Sequence, residues 1–187
     1  MHRLAVLSSG NGSNFKAIAE KLAESDHTLA CMICDRREAL VFEKAGKLGI
    51  PAYYVNYMGR PRSVVEEEIG AVLKKEKVEL IALAGFMRLL SPALIDLYES
   101  RILNIHPSLL PKYPGTQGIQ ESFNSTDEEL GITIHHIDYG LDTGPVIMQK
   151  SFIRQGDETL EEIESRIHDL EHIWYPAVLL EILNSIP

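Results

Sequence analysis

"VELIALAGFMRLLSP", Val78 to Pro92, is the stretch whose reading decides the fold. Val78–Ala84 is a nearly continuous apolar run, where an antiparallel strand with one wet face would alternate apolar and polar residues. A continuous run predicts a strand covered on both faces, which is the signature of a parallel sheet between two layers of helices. Gly85 ends the run, and Pro92 opens a short helix to Tyr98, in keeping with the preference for Pro in the first helical turn.

Working outward, the same alternation repeats on both sides of this run. Towards the N-terminus, Arg3–Ser8 reads as a strand, "SSGNGSN" breaks it, and Phe15–Ala23 has helical spacing. Thr28–Cys34 is a second strand, Glu38–Leu48 a helix ended by Gly49, Pro51–Val55 a third strand and Ser63–Lys77 a helix. Beyond Tyr98, Ile102–Ile105 is a fifth strand. The pattern predicts an α/β fold: a single doubly wound, mostly parallel sheet of Rossmann type with helices on both faces. After Pro107 the character changes. "GITIHHID" (131–138) and "PVIMQKSFI" (145–153), joined by "YGLDTG", predict two strands forming an antiparallel far edge. Asp157–Asn184 reads as one long terminal helix with a bend expected at Pro176. With no repeat, low-complexity segment or linker, residues 1–187 are expected to form one domain.

The formal net charge is −9 and the pI about 5.2. A nucleic-acid binder needs a basic stripe to neutralise phosphates, and "LKKEK" and "GRPR" are too short to supply one. No apolar stretch reaches the roughly 18 to 20 residues that span a bilayer. The opening "MHRLAVLSSGNG" runs into a Gly-rich turn rather than a cleavage site. The expected partners are therefore small molecules, with no nucleic acid and no membrane, for a cytoplasmic monomer or weak homodimer. Cys31 and Cys34 form a C-x-x-C on a predicted strand. Residues three apart there point to opposite faces with Cα atoms about 10 Å apart, beyond the roughly 7 Å limit for a disulfide, so two buried thiols are expected.

Several motifs sit at the carboxyl ends of the predicted strands, where open α/β sheets bind ligands. "SSGNGSNFKAI" offers backbone N–H groups and a helix N-terminus to an anion. Phe15 stands where a dinucleotide fingerprint wants its third glycine. Asp35 nevertheless occupies a position open to a ribose-binding acid. Ser13 and Asn14, as cap and side-chain donors, suit a single terminal phosphate better. The loop containing Met87, Arg88, Leu89 and Leu90 could supply main-chain hydrogen bonds to a flat heterocycle; as a bland alternative, its apolar residues are core. In "LNIHPSLLPKYPG" (103–115), Asn104 and His106 are two apart on a strand and project to the same side. An amide donor and an imidazole would converge on one small volume, suited to a developing oxyanion and to proton donation, with Pro107 holding the chain still. Asp142, if its loop folds over this rim, would orient His106 and raise its pKa; otherwise it is a turn aspartate. His135 and His136 alternate, so only one can face the site, and pattern alone leaves open which. "HDLEH" (168–172) matches a zinc-peptidase spacing. A further ligand would come from well beyond it, so no metal is expected.

Taken together, "SGNGSNF", "LAGFMRLLSP", "NIHPSLLPKYPG" and "LDTGPVI" closely resemble the glycinamide ribonucleotide (phosphoribosylglycinamide) formyltransferases, the folate-dependent formyl-transfer family of purine biosynthesis. The resemblance covers nearly the whole chain. It implies that Gly12, Ser13 and Asn14 bind the phosphate of the ribonucleotide, and that Pro107 and Glu171 touch its glycinamide and ribose. It implies that Met87, Arg88, Leu89 and Leu90 hold the pterin of 10-formyltetrahydrofolate, the co-substrate, with Arg62 and Asn104 also contacting it. Asn104, His106 and Asp142 match the catalytic trio. The first two would stabilise the oxyanion, His106 would donate a proton, and Asp142 would raise its pKa and relay protons. Two departures stand out: "TQGIQESFNSTDEEL" after Gly115, and His168 where the family leads one to expect glutamine. The nearest rivals are methionyl-tRNA formyltransferase, which would carry a further basic domain, and a formyl-folate hydrolase with an added N-terminal domain. A non-catalytic nucleotide-binding module is the rival from a different class.

Overall fold

A computed structural model describes residues 1–187. Seven strands form one sheet: β1 (Arg3–Ser8), β2 (Thr28–Cys34), β3 (Ala52–Tyr54), β4 (Leu80–Leu83), β5 (Ile102–His106), β6 (Glu129–His136) and β7 (Val146–Ile153). Their order is β3-β2-β1-β4-β5-β6-β7. The first five pair in parallel, while β6 runs antiparallel to both β5 and β7. Helices α1 (Ser13–Leu22), α2 (Val41–Lys47), α3 (Arg62–Lys75), α4 (Pro92–Leu97), α5 (Gly118–Asn124) and α6 (Leu160–Ser185) complete the chain. The crossover after β1 leads outward to β2, and that before β4 returns to β1's other flank. The carboxyl ends of β1 and β4 thus frame the topological switch point, where a crevice must open.

Val78–Ala84 behaves as its composition demands. Ile81 and Leu83 join an apolar cluster with α3 and α4, whereas Leu80 and Ala82 join one with α1 and α6. Cys31 and Cys34 divide the same way, one in each cluster, both as free thiols. Burial pushes the Cys31 thiol up to about 12, so it is inert at neutral pH. The buried hydroxyl of Tyr175, on α6, lies 3.0 Å from the Leu83 carbonyl and 2.9 Å from that of Leu103. It fastens the helix to the two strands whose ends carry the site.

Several boundaries differ from the sequence reading by one to three residues, and three of them have a clear place in the structure. The α2 helix starts at Val41 rather than Glu38, because Ala39 N–H turns back onto the Arg36 carbonyl. The α6 helix starts at Leu160 rather than Asp157, set by a capping box between Thr159 and Glu162; it continues helically through Pro176. The β6 strand begins at Glu129, two residues earlier than Gly131. The α5 helix was not anticipated: "GIQESFN" has one turn of weak apolar spacing and a glycine at its start.

Candidate active site

The first wall of the crevice is the turn between β1 and α1. Gly12 is its pivot, at φ 71°, and a Cβ there would meet the Val41 Cγ2 at 2.5 Å. Gly12 itself, not Ser13, is the N-cap, without a side-chain cap. Instead the Asn11 carboxamide oxygen accepts from the Ser13 N–H at 2.9 Å. That corrects the expected capping by Ser13, since the left-handed glycine already turns the chain into the helix. The Asn14 Nδ2 donates to Glu171 Oε2 at 2.9 Å, and His168 Nδ1 donates to the same oxygen at 2.9 Å. Glu171, buried on α6, therefore draws α1 and His168 together. Its hydrogen bond holds the His168 imidazole above the usual histidine range, while burial holds His172 below it. His168 and His172 stack at 6.2 Å, and no cluster of three or more candidate metal ligands forms.

The second wall is the loop after β4. The Arg88, Leu89 and Leu90 backbone groups make no main-chain bonds, while Met87 N–H is taken by Ser9 Oγ at 2.9 Å. The Met87 and Leu89 side chains are exposed at 49% and 57%. Their exposure sets aside the bland reading in which these residues are core. Leu90, by contrast, is buried. Arg62, the first residue of α3, lies 3.9 Å from buried Glu66 and reaches the same crevice. Asp35, considered above for a nucleotide ribose, is already engaged by Ser9 and Arg88. Phe15 is fully buried in the third-glycine position. A dinucleotide site is therefore not built here.

The third wall is the end of β5. In the antiparallel register Asn104 lies opposite His135 and His106 opposite Thr133. Directly opposed residues share a face, so His135 faces the site and His136 turns away. Asn104 Nδ2 donates to His135 Nε2 at 3.2 Å, and His135 Nδ1 donates to the His136 carbonyl at 2.8 Å. Burial holds the His135 imidazole below its ordinary range. A neutral ring with its proton on Nδ1 can only accept at Nε2. That fixes the orientation of the Asn104 amide and leaves one of its N–H bonds free for the crevice. His106 is 3% exposed. Its Nε2 donates to the Tyr113 carbonyl at 2.8 Å, and its Nδ1 lies 3.5 Å from Asp142 Oδ2.

Asp142 does fold over this rim. Its backbone is left-handed, at φ 54°, and Gly115 N–H donates to its carboxylate at 2.8 Å. Its other oxygen lies 3.7 Å from His135 Nε2. The segment Pro107–Gly115 is held against β6 and β7 by Thr133 and Gln149. Thr133 Oγ1 donates to the Ser108 carbonyl at 2.7 Å, and Gln149 Nε2 donates to that of Leu110 at 2.8 Å. The Tyr113 carbonyl and Gly118 were missed as site elements, while His135 had been left open against His136 and the register decides for it. A Cβ at Gly118 would stand 3.0 Å from His106 Nε2. No local pattern in the sequence pointed to Tyr113 or Gly118.

The three walls enclose a cavity of about 610 Å³, within the range of ligand sites. Gly12, Ser13, Asn14, Arg62, Met87, Arg88, Leu89, Leu90, Asn104, His106, Pro107, Asp142, His168 and Glu171 all line it. Every proposed site residue thus reaches one crevice. Its lining brings together the Gly12 turn at the start of α1, the loop after β4 with its unpaired backbone, and an amide, imidazole and carboxylate.

Comparison with known proteins points the same way. The family model described as formyl transferase matches residues 2–179. The phosphoribosylglycinamide formyltransferase of Bacillus subtilis (strain 168) is 43% identical, over 98% of this chain and 96% of its own length. The trifunctional purine biosynthetic protein adenosine-3 of Drosophila pseudoobscura pseudoobscura is 38% identical over 95% of this chain, which spans 13% of that longer protein. The crystal structure of glycinamide ribonucleotide transformylase 1 from Geobacillus kaustophilus superposes with a TM-score of 0.93 at 42% identity, covering 98% of this chain and 99% of that one.

Proposed function

The chain belongs to the formyl transferase family, as a phosphoribosylglycinamide formyltransferase, and from that premise we propose how its crevice does the work. It transfers the formyl group of 10-formyltetrahydrofolate to the amine of 5'-phosphoribosylglycinamide, a step of purine biosynthesis. The products are the N-formylglycinamide ribonucleotide and tetrahydrofolate. The observation that carries this reading is the free N–H of Asn104 and the His106–Asp142 pair in one cavity with the Gly12 turn and the loop after β4.

The ribonucleotide phosphate sits on Gly12, Ser13 and Asn14 at the start of α1, where backbone N–H groups and the helix dipole favour an anion. Glu171 accepts from its hydroxyls, and Pro107 borders its glycinamide. The pterin lies along Arg88, Leu89 and Leu90, whose unpaired backbone groups match a flat heterocycle with donors and acceptors on its edge. Met87 contributes its side chain, because its N–H is taken. Arg62 stands where it can meet an acidic tail.

The amine attacks the formyl carbon and a tetrahedral oxyanion develops. The Asn104 N–H held ready by His135 stabilises that charge without reorganising. The His106 Nε2–H is committed to the Tyr113 carbonyl, so proton movement runs at Nδ1, facing Asp142. The 3.5 Å separation there is too long for a strong hydrogen bond, so Asp142 acts on the ring through its charge. The attacking amine gives up a proton, the bond from carbon to the folate N10 breaks, and N10 receives a proton. His106 and Asp142 carry that proton from one nitrogen to the other. Asp142 also offsets the charge of a protonated ring.

The test is the consumption of 10-formyltetrahydrofolate by purified protein, with and without the ribonucleotide. Consumption that requires the ribonucleotide supports the reading. Equal consumption without it identifies a hydrolase and overturns the reading.

A further inference from the structure

Outside the cavity wall, one buried carboxylate grips the donor slot from behind. The Asp35 side chain is 1% exposed at the end of β2 and does not line the cavity. Its Oδ1 accepts from Ser9 Oγ at 2.5 Å, and its Oδ2 accepts from Arg88 Nε at 2.7 Å. Ser9 in turn accepts from Met87 N–H at 2.9 Å, and its own N–H donates to the Gly85 carbonyl at 3.0 Å. The loop after β4 is thus fastened at three points, Gly85, Met87 and Arg88, all of them leading to Ser9 and Asp35. The Arg88 guanidinium rests over the Tyr57 ring at 4.9 Å, which stops it from swinging free. The far end is held separately, where Ser91 N–H meets the buried Glu66 carboxylate at 3.0 Å.

Between these anchors lie the backbone groups of Arg88, Leu89 and Leu90, unpaired within the protein. Unpaired backbone polar groups have no ladder to keep them aimed, so their direction depends on what holds the flanking residues. A carboxylate buried this fully persists because both its oxygens are bonded. We propose that Asp35 is a positioning residue for the formyl donor: through Ser9 and Arg88 it sets the register in which the Arg88–Leu90 backbone meets the pterin. This rests on the reading that the slot takes a folate.

Asp35→Asn tests it with little change of shape. The amide oxygen still accepts from Ser9, while the amide nitrogen faces Arg88 with a donor where an acceptor is needed. The loss of a charge-assisted bond to a half-exposed arginine predicts a rise of about tenfold in the KM for 10-formyltetrahydrofolate. The Kd for tetrahydrofolate, by calorimetric titration, rises equally. The kcat and the KM for the ribonucleotide stay within about twofold of wild type, since the His106 end of the crevice is untouched. Arg88→Met weakens donor binding similarly, and adding Asp35→Asn to it has no further effect.

Unchanged tetrahydrofolate affinity in Asp35→Asn overturns the proposal. So does a fall in kcat and in both affinities together with a lowered Tm, the mark of a merely structural role. If Asp35→Asn fails to fold, unaltered tetrahydrofolate affinity in Arg88→Met overturns it as well. Wild-type protein that binds no tetrahydrofolate defeats the folate reading itself, a result distinct from these.

Discussion

Replacing Asp142 by Asn should keep the site and remove most of the turnover. The substitution preserves shape, and asparagine tolerates the left-handed backbone that Asp142 adopts at φ 54°. The Gly115 N–H bond survives if the amide oxygen takes the place of Oδ2. What disappears is a negative charge 3.5 Å from His106 Nδ1, with the two side chains only 4% and 10% exposed. At an effective dielectric of about 20, a unit-charge pair at this separation is worth roughly 4 to 5 kcal/mol. Solvent access and relaxation take up part of that, leaving about 3 to 4 kcal/mol on a step that needs a protonated ring, or roughly 10²- to 10³-fold in rate. Steady-state assays of tetrahydrofolate formation should show kcat lowered by that factor, with both KM values within about threefold of wild type. Calorimetric binding of each ligand should be near normal. A kcat within threefold of wild type would refute the assignment, because no other carboxylate lies as near to the His106 ring.

Further expectations follow from the same contacts. His135→Phe keeps the buried volume but removes the acceptor that aims the Asn104 amide; kcat should fall about tenfold, measured beside Tm to confirm folding. Gly12→Ala places a methyl 2.5 Å from Val41 Cγ2 at a φ of 71°. It should cost roughly 1 to 3 kcal/mol in denaturant unfolding and raise the KM for the ribonucleotide. His168 is raised above its ordinary value of 6.5 by its hydrogen bond to Glu171. The bond therefore contributes its full stability below that value, and the contribution is lost as pH rises through the folded one. Thermal melts should show His168→Gln further below wild type at about pH 5.5 than at about pH 9.

Much of the fold could be read because its signals are local. The bounds of β1 and β2 follow from apolar runs ended by polar or Gly-rich breaks, and the structure reproduces both. Pro92 sits at the start of α4 for the reason its ring dictates. Asn104 and His106 were legible as a pair because a strand's period of two places them on one side. The partners that make this pair work were not. That the Tyr113 carbonyl holds His106 depends on how Ser108–Gly115 packs on Thr133 and Gln149, contacts between residues far apart in sequence. The choice of His135 over His136 required the β5–β6 register, which no single strand encodes. Asp35 was legible as a carboxylate at a strand end, but its engagement depends on Arg88, more than fifty residues away. The α5 helix escaped because seven residues starting at a glycine carry too little periodicity.

The central claim is that Asn104 and His106 act together on one formyl carbon and deliver it to an amine. The most direct measurement is a rapid-quench single turnover with isotope-labelled 10-formyltetrahydrofolate and the ribonucleotide, comparing wild type with Asn104→Ala and His106→Ala. In wild type, label should move into the ribonucleotide amide. Each variant should bind both ligands yet transfer at least about a hundredfold more slowly. Label released as formate, or variants that transfer at the wild-type rate, would contradict it.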